Sequence, residues 1–122
     1  MGKSIAQFHL PNGIPQQILA ITGQFAAERK LEVEDSSPNH LTMGEGSKTW
    51  TSRRHLRVGA WDAAGGANVA VEAWAETLLV PEFSADPHRT VGMIPRRQAW
   101  RLAEGFMQRL GITQPERLFR HE

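Results

Sequence analysis

A long antiparallel hairpin is the feature of this sequence that most restricts its fold. Two stretches in which apolar and polar residues alternate flank the turn sequence at 62–66, Asp-Ala-Ala-Gly-Gly. The apolar positions are Leu56, Val58 and Ala60 before the turn and Val69, Val71, Ala73 and Ala75 after it. Because successive side chains of a strand point to opposite faces, this alternation predicts a sheet with one buried face and one polar face.

The register of the hairpin follows from its apolar residues. Pairing Leu56 with Ala73 brings the two apolar sets onto one face, and the same register places Arg57 opposite Glu72. Such an ion pair contributes only about 0.2–1 kcal/mol, whereas a slip of one residue would turn every apolar side chain to the wrong face. We therefore expect burial to determine the register and the charges to agree with it.

The same register defines a candidate functional face on the polar side of the sheet. It places His55 opposite Trp74 and Trp61 on the same side near the turn, whereas alternation points Trp50 into the core. Monomers rarely expose large rings as a broad patch, so we expect something to cover Trp61 and Trp74. Four covers are open at this point: the loop at 80–94, the C-terminal tail, a second copy of the chain, or a small apolar ligand.

The rest of the chain adds two helices and further strands. We expect a strand at 5–10, a helix at 14–30, a short hairpin at 31–43, a loop or edge strand at 80–94, a helix at 95–110 and a short C-terminal helix ending near 119. Pro15 suits the first turn of the first helix, and Gly111 suits a left-handed stop after the second. The predicted fold class is α+β, an antiparallel twisted sheet with two main helices on one face.

This order of elements, β-α-β-β-β-β-α, resembles one half of the TATA-binding-protein fold. The resemblance implies a curved antiparallel sheet with helices on its convex side. It rests on element order and on no sequence motif, so DNA binding does not follow from it. A chain of 122 residues without a repeat or linker is predicted to form one domain, 1–122.

Composition restricts the partners and the compartment. Fourteen basic and thirteen acidic residues leave a formal charge of +1, so no global field draws the chain to nucleic acid. No apolar stretch approaches the roughly 20 residues that cross a bilayer, and a sequence without cysteine suits a reducing compartment. We expect a soluble cytoplasmic protein without a membrane partner, and no motif predicts a cofactor.

The leading hypothesis is a non-enzymatic binding or self-assembly module that forms a homodimer or binds a small apolar ligand. The residues expected to do so are His55, Arg57, Trp61, Glu72 and Trp74. One alternative is a small metal-dependent or acid–base enzyme. Alternation would place its residues on the same sheet face if the first strand adjoins the hairpin: His9, His55, Glu72 and Glu76.

Two further alternatives use arginine. Arg96, Arg97 and Arg101 begin the second helix, where the helix dipole and the guanidinium groups favour an anion. Single-stranded nucleic acid would instead stack on the two tryptophan rings beside Arg53 and Arg57. Solvated surfaces account for arginine clusters more often than phosphate sites do, so both hypotheses are secondary.

Overall fold

The protein has one antiparallel sheet with two helices packed on one of its faces. The computed structural model describes residues 2–47 and 51–122. In chain order its elements are β1 (Ser4–Pro11), α1 (Pro15–Arg29), β2 (Glu32–Ser36), β3 (His40–Gly46), β4 (Arg53–Ala63), β5 (Gly66–Glu76), β6 (Phe83–Ser84), α2 (Met93–Arg109) and β7 (Phe119–His121). The predicted α+β class and the order of its main elements are confirmed.

The register of the sheet is the one that burial demands. The strands lie in the order β2-β3-β4-β5-β1-β7, and β6 pairs with β5 just beyond the start of β1. In the β4–β5 hairpin Leu56 pairs with Ala73 and Arg57 pairs with Glu72, which confirms the predicted register. β1 pairs with β5 along its whole length, so the first strand does adjoin the hairpin.

Both helices bury their apolar stripes against the inner face of the hairpin. Leu56, Val58 and Val71 are fully buried on the sheet, where α1 packs on β3 and β4, and α2 on β4 and β5. The helices also meet each other, because the rings of Phe25 and Phe106 lie edge to face with centroids 5.8 Å apart. This apolar layer accounts for the inner face and leaves the polar side chains on the outer one.

The ends of the helices follow local signals. Pro15 is the first residue of α1, where its missing N–H costs no hydrogen bond. α2 begins at Met93, two residues earlier than expected, and Gly111 follows its end with φ +82°, the predicted left-handed stop. No helix within the described residues is long and apolar enough to span a membrane.

The C-terminal segment differs from its prediction. Only a 3-10 turn forms at Pro115–Arg117, and the chain then extends as β7, which pairs with β1. Phe119 explains the change, because its buried ring packs edge-on against Trp100 with centroids 5.1 Å apart. The 80–92 part of the predicted 80–94 segment is a loop with the two-residue strand β6, as expected, and residues 93–94 belong to α2. Trp50, predicted to face the core, lies outside the described residues.

Candidate functional site

The outer face of the sheet, on the side away from the helices, carries the predicted binding residues and is called the open face. Its side chains form rows across β1, β5 and β4. His9, Asn68 and Trp61 make one row. Glu72 and Arg57 belong to another row, two rows further along the strands. Successive rows are roughly 7 Å apart, because two residues of strand rise separate them. The open face therefore has two ends with different chemistry, one at Trp61 and one at Trp74.

The Trp74 end is closed by neighbouring side chains. The imidazole of His55 stacks on the indole of Trp74, with centroids 4.9 Å apart and planes 14° from parallel. From the β1 side, Lys3 Nζ lies 4.5 Å from the centroid of the indole ring. Lys3 Nζ is also 3.6 Å from Glu72 Oε1, so its charge is paired in place. Residues of the chain itself thus cover Trp74.

His55 is held by two carboxylates at once. Its Nδ1 is 2.7 Å from Glu34 Oε1, and its Nε2 is 2.7 Å from Glu76 Oε1. The second oxygen of Glu34 accepts a hydrogen bond of 2.8 Å from Arg53 Nε. Both ring nitrogens of His55 therefore have a carboxylate partner. With its side chain 8% exposed, His55 has no free nitrogen to offer a metal ion or a substrate.

The Trp61 end is open. Trp61 remains 44% exposed, so the 80–94 loop does not cover it. Its six-membered ring folds back along β4 over Gly59, where a methyl group would overlap the ring. Gly59 and Ala70 are paired in the adjacent row, and their small size leaves the sheet surface low beside the indole. An aromatic platform next to a shallow depression results.

This depression has a volume of about 400 Å³ and is called the Trp61 hollow. Its lining consists of Gln7, Phe8, His9, Trp61, Asn68, Val69 and Ala70. The polar groups are two amides and one imidazole, and His9 Nδ1 lies 3.3 Å from Asn68 Oδ1. The lining contains apolar surface, two amides and an imidazole but no carboxylate, ammonium or guanidinium group. Such a surface suits an uncharged ligand with both apolar and polar parts.

The four residues of the metal alternative share a face but do not meet. His9 lies two rows from Glu72, roughly 13 Å along the strands, whereas ligands of one ion lie within about 2.0–2.2 Å of it. Glu76 lies two rows beyond Glu72 and is bonded to His55. No group of three or more histidine and acidic side chains within residues 2–47 and 51–122 is arranged to hold a metal ion.

The three arginines of α2 do not form one cluster. Arg96 is buried, and its guanidinium donates to the carbonyl oxygens of Val91 and Ser84 and to the Ser84 hydroxyl, at 2.7–2.8 Å. Burial lowers the pKa of Arg96 below its usual range, and the charge of Arg89 lowers it further. Arg97 and Arg101 are exposed. The structure therefore gives Arg96 an internal role and leaves two solvated cations.

Four residues that shape the open face were missed in the sequence. Glu34 lies where the β2–β3 register shifts, so alternation misplaces it. Lys3 precedes the first strand and carries no periodic signal. Gln7 and Asn68 could have been found, because alternation places Gln7 on the same side of the first strand as His9 and the predicted hairpin register already pairs Asn68 with Trp61.

Comparison with known proteins gives no family for this chain. No protein-family model matches it, and no curated protein matches it significantly. The fold is that of an α+β protein with an antiparallel sheet. The residues of the open face are therefore the basis for a functional assignment.

Proposed function

We propose that this chain is a non-enzymatic binding module that holds a small neutral ligand in the Trp61 hollow. The observation that carries the proposal is the indole of Trp61, which is 44% exposed while the far end of its six-membered ring lies over Gly59. An exposed ring held in one orientation loses little conformational freedom when a ligand stacks on it. Aromatic platforms of this kind accept the flat or apolar face of a ring compound.

The neutral lining supports the chemical class of the ligand. The nearest charged row contains Glu72, which lies 4.0 Å from Arg57 Nε and 3.6 Å from Lys3 Nζ. These ion pairs lie outside the hollow, whose polar side chains are the amides of Gln7 and Asn68 and the imidazole of His9. A phosphate or carboxylate would lose its water at the hollow without gaining a cation. The ligand we propose combines a ring with uncharged donors and acceptors at its edge.

The state of His55 supports a binding role over catalysis. Its two ring nitrogens are occupied by Glu34 and Glu76, so neither nitrogen can contact a substrate without breaking one of these bonds. We propose that the protein acts in the cytoplasm, for which the cysteine-free sequence is the support. Self-assembly remains part of the proposal.

The test uses adenosine and methyl glucoside as neutral ring compounds and adenosine monophosphate as an anionic counterpart. We expect the amide resonances of Gln7, Asn68 and Ala70 to shift in two-dimensional NMR on titration with a neutral compound. Adenosine monophosphate should bind more weakly than adenosine, because its phosphate finds no cation. Trp61→Ala should raise Kd at least tenfold, and Trp61→Phe should retain part of the affinity.

Trp74→Ala is the matched control, because it removes the same residue type from the covered end of the same face. We expect it to leave the affinity for the neutral compound within about twofold. Shifts that persist unchanged in Trp61→Ala would place the ligand elsewhere. The absence of any shift with both neutral compounds at millimolar concentration would count against the proposed ligand class.

A further inference from the structure

A second uncovered surface lies where β5 leaves the sheet and α2 begins. Six aliphatic side chains, each between 37% and 90% exposed, form it: Leu78, Leu79, Val80, Val91, Met93 and Ile94. We call this surface the terminal patch. It belongs to neither the open face nor the core.

The terminal patch is continuous across two segments of the chain. Thr77 N donates a hydrogen bond of 2.7 Å to Val80 O, which closes a turn with Leu78 and Leu79 at its tip. Val80 from the first segment and Val91 from the second both line one apolar hollow of about 170 Å³. The other lining residues are Thr77, Phe83, Gly92, Pro95 and Arg96. The patch therefore combines a protruding leucine pair with a hollow beside it.

The area of the patch approaches what a stable dimer needs. A fully exposed aliphatic side chain presents roughly 60–120 Å² of apolar surface, so these six at their observed exposures present roughly 250–450 Å². Standard interfaces bury about 800 Å² on each partner, a little over half of it apolar. The terminal patch alone supplies more than half of that apolar share.

The charge of the patch favours a second copy of the same chain. Residues 77–81 and 90–95 contain no acidic or basic residue, and Arg96 in the lining of the hollow is buried and bonded to Val91 and Ser84. A two-fold dimer brings each patch against itself, and a charged patch would then repel its own copy. A neutral aliphatic patch carries no such penalty and needs no partner of opposite charge.

The edges of the sheet argue against dimerisation by strand pairing. The edge strand β2 carries Glu32, Glu34 and Asp35, and like charges would face each other if two copies paired there. At the other edge β7 is three residues long. Short and charged edges of this kind prevent pairing with another chain, which leaves the terminal patch as the better surface for a second copy.

We propose that the terminal patch is the interface of a two-fold homodimer in which Leu79 of each copy enters the apolar hollow of the other. Leu79 is 90% exposed, and such a side chain gains most when it is seated in a preformed apolar hollow. Val80, Val91 and Pro95 line that hollow and would surround the leucine. This assembly leaves the Trp61 hollow free, so it is independent of the ligand proposed for the open face.

The experiment measures molar mass by light scattering on a sizing column from micromolar to millimolar concentration. We expect the wild-type chain to reach twice the monomer mass of 13.6 kDa. Leu79→Glu and Val91→Glu should each weaken the dimer at least tenfold. Val33→Glu is the matched control for Val91→Glu, because Val33 is an exposed valine on the β2 edge; it should dimerise like the wild type, as should Trp61→Ala.

Circular dichroism and urea midpoints establish that each variant is folded. A wild-type chain that stays monomeric at every concentration would overturn the proposal. So would a dimer that survives both patch substitutions, or one that Trp61→Ala alone dissociates. If the monomer instead binds neutral phosphatidylcholine vesicles and Leu79→Glu abolishes that binding, the patch serves a lipid surface and the homodimer is refuted.

Discussion

The imidazole of His55 lies parallel to the indole of Trp74, the residue directly opposite it across the β4–β5 hairpin, with ring centroids 4.9 Å apart. Two glutamates hold the imidazole in place through its nitrogens, and Lys3 lies over the indole. Opposite residues of an antiparallel pair stabilise it through such cross-strand contacts. The His55–Trp74 pair therefore stabilises the sheet, and the exposed aromatic ring of the open face is that of Trp61.

His55→Ala is predicted to destabilise the fold without altering the Trp61 hollow. We expect the free energy of unfolding to fall by about 2–4 kcal/mol, since the change removes two charge-assisted hydrogen bonds and the ring stack. Urea unfolding followed by far-ultraviolet circular dichroism measures it. A double-mutant cycle with Trp74→Ala should give a coupling of about 0.5–1.5 kcal/mol. A coupling near zero would mean that the stacked geometry contributes nothing.

Glu34 and Glu32 provide a matched pair on the same strand. Glu34 bonds both His55 and Arg53 and has a side chain 25% exposed, whereas Glu32 is 76% exposed and 3.6 Å from Arg53. We predict that Glu34→Gln costs about 1–2 kcal/mol of unfolding free energy and that Glu32→Gln costs less than about 0.5 kcal/mol. Equal urea midpoints for the two variants would contradict this assignment.

Features that depend on local alternation could be predicted from the sequence, whereas contacts between elements that meet only after folding could not. The β4–β5 register followed from local alternation, because burial of Leu56 against Ala73 overrides weaker preferences. Glu34 could not be placed, since the register shift between Val33 and Asp35 breaks the alternation. β7 was missed because Phe119 gains its burial from Trp100, which is close only after folding.

Arg96 was misplaced although a signal was present. It stands three and four residues before Ala99 and Trp100, on the same apolar stripe of α2. An arginine on a buried stripe is expected to have internal acceptors, and here Val91 and Ser84 provide them. The anion hypothesis took account of the charge of Arg96 but not of its position on the buried stripe of α2.

Arg96 and Arg97 accordingly should respond differently to the same substitution. Arg96→Met is predicted to lower the free energy of unfolding by about 2–4 kcal/mol, because the Val91 and Ser84 acceptors lose their donor. Arg97→Met, on the exposed side, should stay within about 0.5 kcal/mol of the wild type. Thermal and urea unfolding of both variants measure the difference. Comparable losses would show that Arg96 contributes only through the apolar part of its side chain.

Gly59→Ala should show whether ligand affinity depends on the position of the Trp61 ring over Gly59, because it leaves the side chains that line the hollow unchanged. The added methyl group would overlap the far end of the indole, which can swing away, so we expect stability to change by less than about 1 kcal/mol. The ring would leave the sheet surface, and affinity for a neutral ring compound should fall about as far as in Trp61→Ala. Incorporated 5-fluorotryptophan reports the movement by fluorine NMR. An unshifted Trp61 resonance would refute the role assigned to Gly59.

His121 should make stability depend on pH in the slightly acidic range. Burial lowers the pKa of His121 below its usual 6.5, although the charges of Asp86 and Glu116 oppose the shift. The hydrogen bonds agree with a neutral ring. Ser4 Oγ accepts the amide of Ala85, so its own hydroxyl proton is free to donate to His121 Nδ1, 2.5 Å away. A proton on Nδ1 would disrupt this arrangement.

The sign of the effect follows from which state binds the proton first. Above about pH 6.5 His121 is neutral in both states and its contribution is complete; as the pH falls, the unfolded chain is protonated before the folded one and stability is lost through the lowered pKa. We predict that the free energy of unfolding falls less between about pH 7.5 and about pH 5 in His121→Asn than in the wild type. Identical slopes for His121→Asn and the wild type would show that His121 does not carry the pH dependence.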